Sequence, residues 1–428
     1  MCDYPKLPLG EIATVRSGYA FKSRDWTDSG VSVVKIANVK NGWLDMAGCS
    51  FVSAQVAKST AEFALHEGDI LISMTGYVGE VAVVRKHNLP ALLNQRVGRF
   101  SIPDARRLDK RFLYYCVTDP TFRERVESLG YGSAQANVSP SAIQGIVVSV
   151  PSLREQTSIS SLLGALDDKI ELNRQTNETL EALARAFFKD WFVDFGPTRA
   201  KMEGRKPYLV PELWDSFPDA LDDADKPVGW VMGTIADVAF LNPESWSEKN
   251  APDQIEYVDL ANTKWGTIEE TKSYDWSGAP SRAQRILRPG NTIVGTVRPG
   301  NGSYAFIGRD GLTGSTGFAV LAPRAEEFRE FVYLASTSRE NIERLSHLAD
   351  GAAYPAVRPD VVAATEVVLA DEMVMTAFSR VTASLLDCIE ADKRENGTLA
   401  QTRDLLLPKL MSGEIRLRDA EKMVGDAL

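Results

Sequence analysis

Residues 159–191 read ISSLLGALDDKIELNRQTNETLEALARAFFKDW, and seam positions can be drawn through them at alternating spacings of four and three. This spacing places the positions on one helix face and predicts a coiled-coil seam. The seam consists of Ile159, Leu163, Leu166, Ile170, Asn173, Asn177, Leu180, Ala184, Phe187 and Trp191. A helix of about 38 residues would be about 57 Å long, more than one small domain covers. We therefore predict that it pairs with another helix; the alternative is an amphipathic helix packed only on its own domain.

A second stretch, residues 378–410, reads FSRVTASLLDCIEADKRENGTLAQTRDLLLPKL and carries the same pattern 219 residues later. Its seam consists of Phe378, Thr382, Leu385, Ile389, Asp392, Asn396, Leu399, Arg403, Leu406 and Leu410. Polar residues in a seam lower stability but fix the register. The central pairs Asn173/Asn177 and Asp392/Asn396 therefore predict one defined pairing.

The helices belong to an internal repeat with a period near 220 residues. Val34–Lys40 (VKIANVK) resembles Val258–Lys264 (VDLANTK), and Asp168–Glu171 (DKIE) resembles Asp387–Glu390 (DCIE). Solenoid units are only 20–50 residues long. The sequence therefore predicts two copies of one globular domain, each followed by a long helix.

Strand and helix signals are mixed within each copy, so we predict the α+β fold class. The predicted strands are Val33–Val39, Ile70–Met74, Val81–Val84 and Ile146–Val150. The predicted helices are Leu108–Val126, broken at Asp119-Pro120, and Glu326–Leu345. The predicted domains are 1–150, a long helix at 151–195, an extended linker rich in proline and acidic residues at 196–228, a second domain at 229–370, and a second long helix with a tail at 371–428.

The composition is that of a globular protein. Of 428 residues, 44% are hydrophobic and 25% charged, which excludes a mostly disordered or collagen-like chain. The four cysteines (Cys2, Cys49, Cys116 and Cys388) have no CxxC spacing, and we expect reduced thiols in a cytoplasmic protein. No run of about 18 apolar residues and no signal peptide is recognisable, so we expect no membrane association.

The sequence offers no catalytic constellation and no metal site. The three histidines (His66, His87 and His347) have no metal-ligand spacing. Asp167-Asp168-Lys169 has the composition of a magnesium nuclease site, but it lies within the predicted long helix and is interpreted as a solvated face. Asn242–Ser245 lacks the second proline and the aromatic residue of an amino-methyltransferase motif, and no GxxxxGK[ST] phosphate loop occurs.

The remaining class of function is recognition. Net charge is −10, yet residues 1–150 carry 17 basic against 14 acidic side chains, whereas residues 229–370 carry 13 against 18. A DNA-binding role would require local concentration of positive charge, or cations from a partner. Both copies have loops in which basic, amide and small residues alternate, and such side chains can contact base edges. The candidate DNA contacts are Lys22, Arg24, Lys35, Asn38, Lys40, Asn94, Gln95, Arg96, Gln135, Asn137, Asn262, Lys264, Arg298, Ser315 and Tyr354.

Several motifs together resemble one known family. Pro151–Gln156 (PSLREQ) leads into the first helix, Leu166–Asn173 (LDDKIELN) lies within it, Phe188–Phe195 (FKDWFVDF) ends it, and Pro227–Trp230 (PVGW) opens the second domain. With the repeat, these motifs make the whole chain resemble the specificity subunit of a type I restriction-modification system. The loop motifs Gly76/Gly79, Asn94-Gln95 and Gly132–Gln135 add to the resemblance.

The resemblance implies two target recognition domains joined by an antiparallel helix pair. Each domain would read one half of a bipartite double-stranded DNA site. The helices would set the spacing and dock two modification subunits, which carry adenine methylation dependent on S-adenosylmethionine. Restriction subunits would join for cleavage driven by ATP with magnesium. The chain itself would be non-catalytic and hold no cofactor. The candidate docking residues are Leu163, Leu166, Ile170, Asn177, Leu180, Phe187, Leu385, Ile389, Asn396, Leu399 and Leu406.

The second copy departs from the first at the expected contact positions. Gly314-Ser315 stands near the position of Asn94-Gln95, and Tyr354 replaces Gln135. Two alternatives remain open at this point. One is a coiled-coil scaffold that binds proteins without recognising DNA, and the other is an enzyme with an unfamiliar site that would bind S-adenosylmethionine by itself.

Overall fold

A computed structural model describes residues 4–40, 42–130, 136–351 and 354–427. It divides into two compact units. The first unit comprises Met1–Leu172 and Glu395–Leu428, and the second comprises Asn173–Arg394. Each unit therefore contains one copy of the repeat and a part of each long helix.

Two four-stranded sheets form the globular part of the first unit. The antiparallel sheet has the order Thr14–Ser17, Val97–Ser101, Ile70–Ser73 and Val81–Val83. The mixed sheet has the order Ala91–Leu93, Val31–Val34, Ser50–Val52 and Trp26–Thr27, and its first two strands are parallel. Two smaller pairs join Lys6–Pro8 to Val147–Ser149 and Val39–Lys40 to Trp43–Leu44.

The second unit repeats this architecture. Its antiparallel sheet has the order Ala239–Leu241, Phe318–Pro323, Thr292–Gly295 and Tyr304–Phe306. Its mixed sheet has the order Lys272–Asp275, Gln254–Val258, Leu312–Ser315 and Ala283–Leu287, and the middle pair is parallel. The smaller pairs join Val231–Thr234 to Glu366–Leu369 and Thr263–Lys264 to Thr267–Ile268.

The strand register confirms the repeat. In the first unit Val34 pairs with Leu93, and in the second Val258 pairs with Gly314, in both cases between parallel strands. The predicted α+β class is confirmed by these sheets and by the helices beside them. The helices of the first copy are Ala54–Ser59, Lys110–Thr118, Pro120–Leu129 and Pro140–Gln144, and Leu417–Ala427 also belongs to the first unit. Those of the second are Gly196–Met202, Pro211–Ser216, Ile235–Val238, Arg329–Ser336, Arg339–Leu348 and Pro359–Ala363.

Helix capping explains one confirmed break and one that the sequence analysis missed. The first copy breaks its helix at Asp119-Pro120, as predicted, and the Asp119 carboxylate caps the next helix by accepting from the Thr121 N–H at 2.8 Å. The predicted single helix Glu326–Leu345 is wrong, because the structure has two helices there. Ser338 caps the second of them by accepting from the Asn341 N–H at 3.2 Å.

The predicted strand Val33–Val39 is also interrupted. Its first part lies in Val31–Val34, but Ile36–Asn38 forms a 3₁₀ turn before the short strand Val39–Lys40. Asn38 closes this turn, since its Oδ1 accepts from the Lys35 N–H at 2.9 Å. Such local amide bonds compete with extended structure.

Residues 196–228 do not form the predicted extended linker. They contain the helices Gly196–Met202 and Pro211–Ser216, and Phe217 is only 3% exposed. Phe217 packs edge-on against Trp191 with ring centroids 5.1 Å apart. Trp230, 2% exposed, belongs to the same core. Phe217 therefore attaches residues 196–228 to the core of the second unit.

The two long helices, Leu153–Phe188 and Glu372–Ser412, pack together as predicted. In the first unit Leu163, Leu166, Leu399 and Leu406 are at most 3% exposed and share one core. In this unit Lys169 pairs with Glu395 at 3.1 Å and Asp167 with Arg403 at 2.7 Å. Residue numbers fall along one helix as they rise along the other, so the pairing is antiparallel.

The two long helices are antiparallel in the second unit as well. Phe188 and Trp191, at and just after the end of the first helix, pack on Phe378 near the start of the second, with ring centroids 6.3 and 5.6 Å apart. Among the other predicted seam residues, Ala184 and Ile389 are buried, whereas Ile170, Asn177, Leu180, Phe187, Leu385 and Asn396 are half-buried.

An arginine from each globular copy binds an aspartate on a long helix. Arg111 binds Asp168 through two nitrogens at 2.6 and 3.0 Å in the first unit, and Arg329 binds Asp387 at 2.9 Å in the second. Both aspartates occupy the same position of the repeat. Asp167 also accepts from the Tyr115 hydroxyl at 2.6 Å, and burial, with the Asp167 charge, raises the pKa of Tyr115 well above its usual value. Asp167-Asp168-Lys169 is therefore an anchoring network rather than the merely solvated face that the sequence suggested.

In the part of the chain that the structure describes, no helix combines the length and the apolar composition needed to cross a membrane. Within the same residues, Cys49, Cys116 and Cys388 are free thiols. Burial raises the pKa of the Cys116 thiol to about 12, so this side chain stays protonated at neutral pH.

We predict that Leu163→Ala lowers the free energy of unfolding of the first unit by about 2–5 kcal/mol, because a fully buried leucine leaves a cavity. The measurement is urea denaturation followed by circular dichroism. Leu172→Ala is the control, since Leu172 is 58% exposed on the same helix and its loss should cost less than about 0.5 kcal/mol. Equal effects of the two substitutions would contradict the burial of Leu163 in the helix seam.

Candidate nucleic-acid interface

A tight turn in the first unit presents two of the predicted contact residues. Asn94-Gln95-Arg96 connects the strands Ala91–Leu93 and Val97–Ser101. The Asn94 side chain is 9% exposed, and its Oδ1 accepts from the Arg96 N–H at 3.3 Å. Gln95 and Arg96 are both exposed. Asn94 therefore holds the turn, and the next two side chains are available for contact.

Two further segments border this turn. The Met74 N–H donates to the Arg96 carbonyl at 3.0 Å, and the Val138 N–H donates to the Met74 carbonyl at 2.8 Å. Beside them the Thr75 hydroxyl donates to Asn137 Oδ1 at 2.8 Å. Asn137 is exposed next to the turn, as a contact residue would have to be. The predicted contact Gln135 lies outside the described residues.

Tyr77 is not among the predicted contacts, yet it is 86% exposed in the loop after Thr75. The loop turns at Gly76, whose φ of +75° favours glycine, and the Gly76 N–H donates to the Ala136 carbonyl at 3.0 Å. An exposed aromatic between the two glycines Gly76 and Gly79 is the signal that could have identified it.

The second unit builds the same arrangement with different side chains. Ser315 Oγ accepts from the Gly317 N–H at 3.2 Å, as Asn94 does for Arg96. The Thr296 N–H donates to the Gly317 carbonyl at 2.8 Å, and the Val357 N–H donates to the Thr296 carbonyl at 2.9 Å. Both bonds have counterparts at Met74 in the first unit.

These bonds correct the alignment of the two copies. Ser315-Thr316-Gly317 is equivalent to Asn94-Gln95-Arg96, one residue later than the Gly314-Ser315 match suggested by the sequence. Ser315 is 1% exposed and is the turn residue, whereas Thr316 is exposed. The predicted contact Ser315 therefore has a structural role, and Thr316 occupies the position of Gln95.

The other predicted residues of the first unit fall into two groups. Lys22, Arg24 and Lys40 are exposed. Lys35 is half-buried, with its ammonium 2.6 Å from Ser50 Oγ and 3.9 Å from the centre of the Trp26 ring. Asn38 is 5% exposed, and its amide also donates to the Asp45 carbonyl at 2.8 Å. The burial of Asn38 and its bonds within the fold disfavour a role for this residue in DNA contact.

Backbone bonds connect these residues to the turn. The Asn94 N–H donates to the Val34 carbonyl at 3.1 Å, immediately before Lys35, and the Gln95 N–H donates to the Tyr19 carbonyl at 2.9 Å. Tyr19 packs edge-to-face against Phe21, and Phe21 packs at a tilt against Trp26, with ring centroids 5.0 and 5.4 Å apart. Lys35, Gln95, Arg96 and Asn137 therefore lie on neighbouring segments of the first unit. We call the surface that they form the rim of the first unit, and the equivalent surface around Thr316 the rim of the second.

In the second unit Asn262 and Lys264 lie at a hairpin. Asn262 is half-buried and its amide donates to Glu270 Oε2 at 3.3 Å, whereas Lys264 is exposed. Trp265, 56% exposed and with a φ of +47°, follows them and was missed by the sequence analysis. The acidic Glu270 beside this hairpin reduces its attraction for phosphate.

Arg298 and Tyr354 form a stacked pair on the rim of the second unit. The guanidinium carbon of Arg298 lies 4.8 Å from the centre of the Tyr354 ring, and both side chains are exposed.

Among the described residues no group of three or more His, Cys, Asp or Glu side chains could hold a metal ion. The rims are suited to hydrogen bonding and stacking with a ligand.

Comparison with known proteins identifies the class of this fold. Residues 1–182 match the family model described as "Type I restriction modification DNA specificity domain". A solved structure, the S subunit of a type I restriction-modification system from M. genitalium, shares the fold with a TM-score of 0.56. The alignment covers 95% of this chain and 96% of that one, at 16% identity. The fold is thus that of a type I restriction-modification specificity subunit.

Sequence comparison with curated proteins finds relatives of the same class. Over 370 residues the chain is 24% identical to the type I restriction enzyme MjaIX specificity subunit of Methanocaldococcus jannaschii, covering 82% of this chain and 79% of the relative. It is 28% identical over 183 residues to the MjaVIII specificity subunit of the same organism, covering 42% of this chain and 43% of that relative. The chain resembles the specificity subunits of type I restriction-modification systems, as its motifs predicted.

We predict that Asn94→Ala lowers the free energy of unfolding by about 1 kcal/mol or more, because it removes the buried acceptor that holds the turn. Gln95→Ala should change it by less than about 0.5 kcal/mol, since Gln95 is exposed. Both are measured by urea denaturation. A loss for Gln95→Ala as large as that for Asn94→Ala would show that Gln95 is also structural.

Proposed function

We propose that this chain is the DNA-specificity subunit of a type I restriction-modification complex, without catalytic activity of its own, in which each globular copy reads one half of a bipartite site. One observation carries the proposal. Both copies build the same rim from the same backbone hydrogen bonds but present different side chains on it. Gln95-Arg96 in one copy corresponds to Thr316-Gly317 in the other. A constant scaffold with variable exposed side chains suits two different half-sites.

The chemistry of the rims favours base contacts. Gln and Asn can bind adenine through two hydrogen bonds, and Arg can bind guanine in the same way. Gln95, Arg96 and Asn137 are exposed on adjoining segments of the first unit. The exposed Lys22, Arg24 and Lys40 are suited to phosphates, which position a protein on DNA without specifying sequence.

The long helices suit the roles of spacer and docking surface. The first spans 36 residues, which corresponds to about 54 Å, and each helix contributes to both units. A helix shared in this way would set the separation of the half-sites. Two modification subunits would dock on the pair and supply adenine methylation with S-adenosylmethionine. Restriction subunits would add ATP- and magnesium-dependent cleavage, in the cytoplasm where the DNA is.

The decisive experiment is to co-express this chain with its cognate modification subunit and to map methylated adenines across the host genome. We expect a split motif with an unread gap, because two separate rims would read two separate half-sites. The motif should be absent when this chain is omitted. No new methylation, with the complex shown intact by gel filtration, would contradict the proposal and favour a protein-binding scaffold.

We further predict that the isolated chain binds DNA weakly and that its affinity falls steeply with salt. The second copy carries 13 basic against 18 acidic side chains, so partner subunits would have to supply most of the phosphate contacts. The measurement is fluorescence anisotropy of labelled DNA at two salt concentrations, with and without the modification subunit. Nanomolar specific binding by the chain alone would contradict this division of contacts.

A further inference from the structure

Arg282 lies beside the turn Ser315–Gly317 on the rim of the second unit. Its carbonyl accepts from the Thr316 N–H at 2.7 Å, and Thr316 is the exposed residue of that turn. The strand Ala283–Leu287 follows Arg282 and begins with a β-bulge. Bulges are common next to functional sites, where they redirect a side chain. Arg282 is itself exposed and therefore forms part of the same surface as Thr316.

The first copy has a different residue at this place. There the Gln95 N–H, equivalent to that of Thr316, donates to the Tyr19 carbonyl at 2.9 Å. Tyr19 is half-buried and packs against Phe21. An aromatic residue in one copy and a guanidinium in the other therefore flank the same turn. Such a difference is expected where two copies of one scaffold read different half-sites.

Two hydrogen bonds hold the Arg282 guanidinium. Its Nε donates to the Tyr257 hydroxyl at 3.0 Å, and its Nη2 donates to Asp259 Oδ2 at 2.7 Å. Tyr257 is 3% exposed and shares a small core with Ile255 and Ala283, so its hydroxyl is a well-placed acceptor. A rigid planar group that is bound at two of its nitrogens cannot turn freely. The fold therefore positions this side chain before any ligand arrives.

The guanidinium keeps donors for a ligand. It has five N–H donors, of which the bonds to Tyr257 and Asp259 use two. Within the part of the chain that the structure describes, Nη1 of Arg282 makes no hydrogen bond. The side chain is 58% exposed. Both N–H groups of Nη1 and the second N–H of Nη2 are therefore available.

The carboxylate beside Arg282 indicates the kind of ligand. Asp259 lies 2.7 Å from the guanidinium and offsets its charge, which weakens the attraction for a phosphate. The N–H donors remain, and two of them match the O6 and N7 acceptors that guanine presents in the major groove. They do not match adenine, whose N6 amino group is itself a donor. An oriented arginine with a compensated charge is therefore better suited to guanine than to the DNA backbone.

We propose that Arg282, positioned by Tyr257 and Asp259, contacts a guanine in the half-site of the second unit. This inference rests on the proposed function and names one base and the side chain that selects it. Tyr257 and Asp259 are positioning residues, since they act through Arg282. Tyr19 at the corresponding place offers no guanidinium, so the first unit would select its bases with other residues.

The test uses the complex of this chain with its modification subunit. We expect Arg282→Ala to methylate, but to accept other bases at one guanine of one half-site, with discrimination reduced about tenfold to a hundredfold. Arg282→Lys keeps a charge beside Asp259 but lacks the planar set of donors, so it should lose similar discrimination. It also decides the matter if Arg282→Ala does not fold. Tyr257→Phe removes one bond and keeps the buried ring, so it should lose part of the discrimination.

Arg288→Ala is the matched control. Arg288 follows the other end of the strand Ala283–Leu287, whose five residues span about 17 Å. It is 50% exposed and pairs with Glu244 at 3.0 Å, so its loss removes the same charge and a similar ion pair. The motif should not change. Gln95→Ala should alter the other half-site. Methylation rates are measured on oligonucleotides that carry each of the four bases at each half-site position, and folding is checked by circular dichroism.

The outcomes separate the inference from the function on which it rests. A wild-type complex that gives no bipartite motif overturns the proposed function and the inference with it. A bipartite wild-type motif that Arg282→Lys leaves unchanged overturns the inference alone. A uniform loss of rate on every sequence also overturns it, because it would show a phosphate contact. So does a change at a base other than guanine, or the same change in Arg288→Ala.

Discussion

Burial of one apolar seam is the constraint on which the rest of the molecule depends. Leu163 and Leu166 from one long helix and Leu399 and Leu406 from the other share a core with the first globular copy. Ala184 from the first long helix and Phe378 from the second do the same for the second copy. Neither copy therefore has a complete core without residues from both helices. The pairs Arg111–Asp168 and Arg329–Asp387 add a polar attachment at the same position in each repeat.

The two copies share the backbone arrangement of the recognition turn but differ in the side chains that they expose there. Asn94 and Ser315 differ in size, yet each accepts the N–H two residues later and closes the same turn. The conserved element is thus the position of a hydrogen-bond acceptor rather than a residue type. The next position, Gln95 in one copy and Thr316 in the other, is exposed in both, so its side chain can differ without disturbing a core. A recognition surface can change there at little cost in stability.

The long-range pattern of the sequence was enough to predict the repeat, the paired helices and the resemblance, because each depends on many residues. Single-residue roles were less predictable. Asn38, Asn94 and Ser315 have the chemistry of base contacts, but their side chains bond to nearby backbone and are buried. Tyr77 and Trp265 lie in loops whose course depends on distant segments, so the sequence around them did not show that their side chains are exposed. Residues 196–228 contain aromatic side chains such as Phe217, which favour packing against a core. The proline content of the segment favoured an extended linker instead.

The order of the segments along the chain has a further consequence. The second unit is one uninterrupted stretch, Asn173–Arg394, whereas the first is assembled from Met1–Leu172 and Glu395–Leu428. During synthesis on the ribosome all of the second unit emerges before Glu395–Leu428, without which the core of the first unit is incomplete. Leu399, Leu406 and Leu410 are part of its core. A prematurely terminated product would therefore contain a folded second unit and an unfinished first one, which the cell's proteases could recognise and remove.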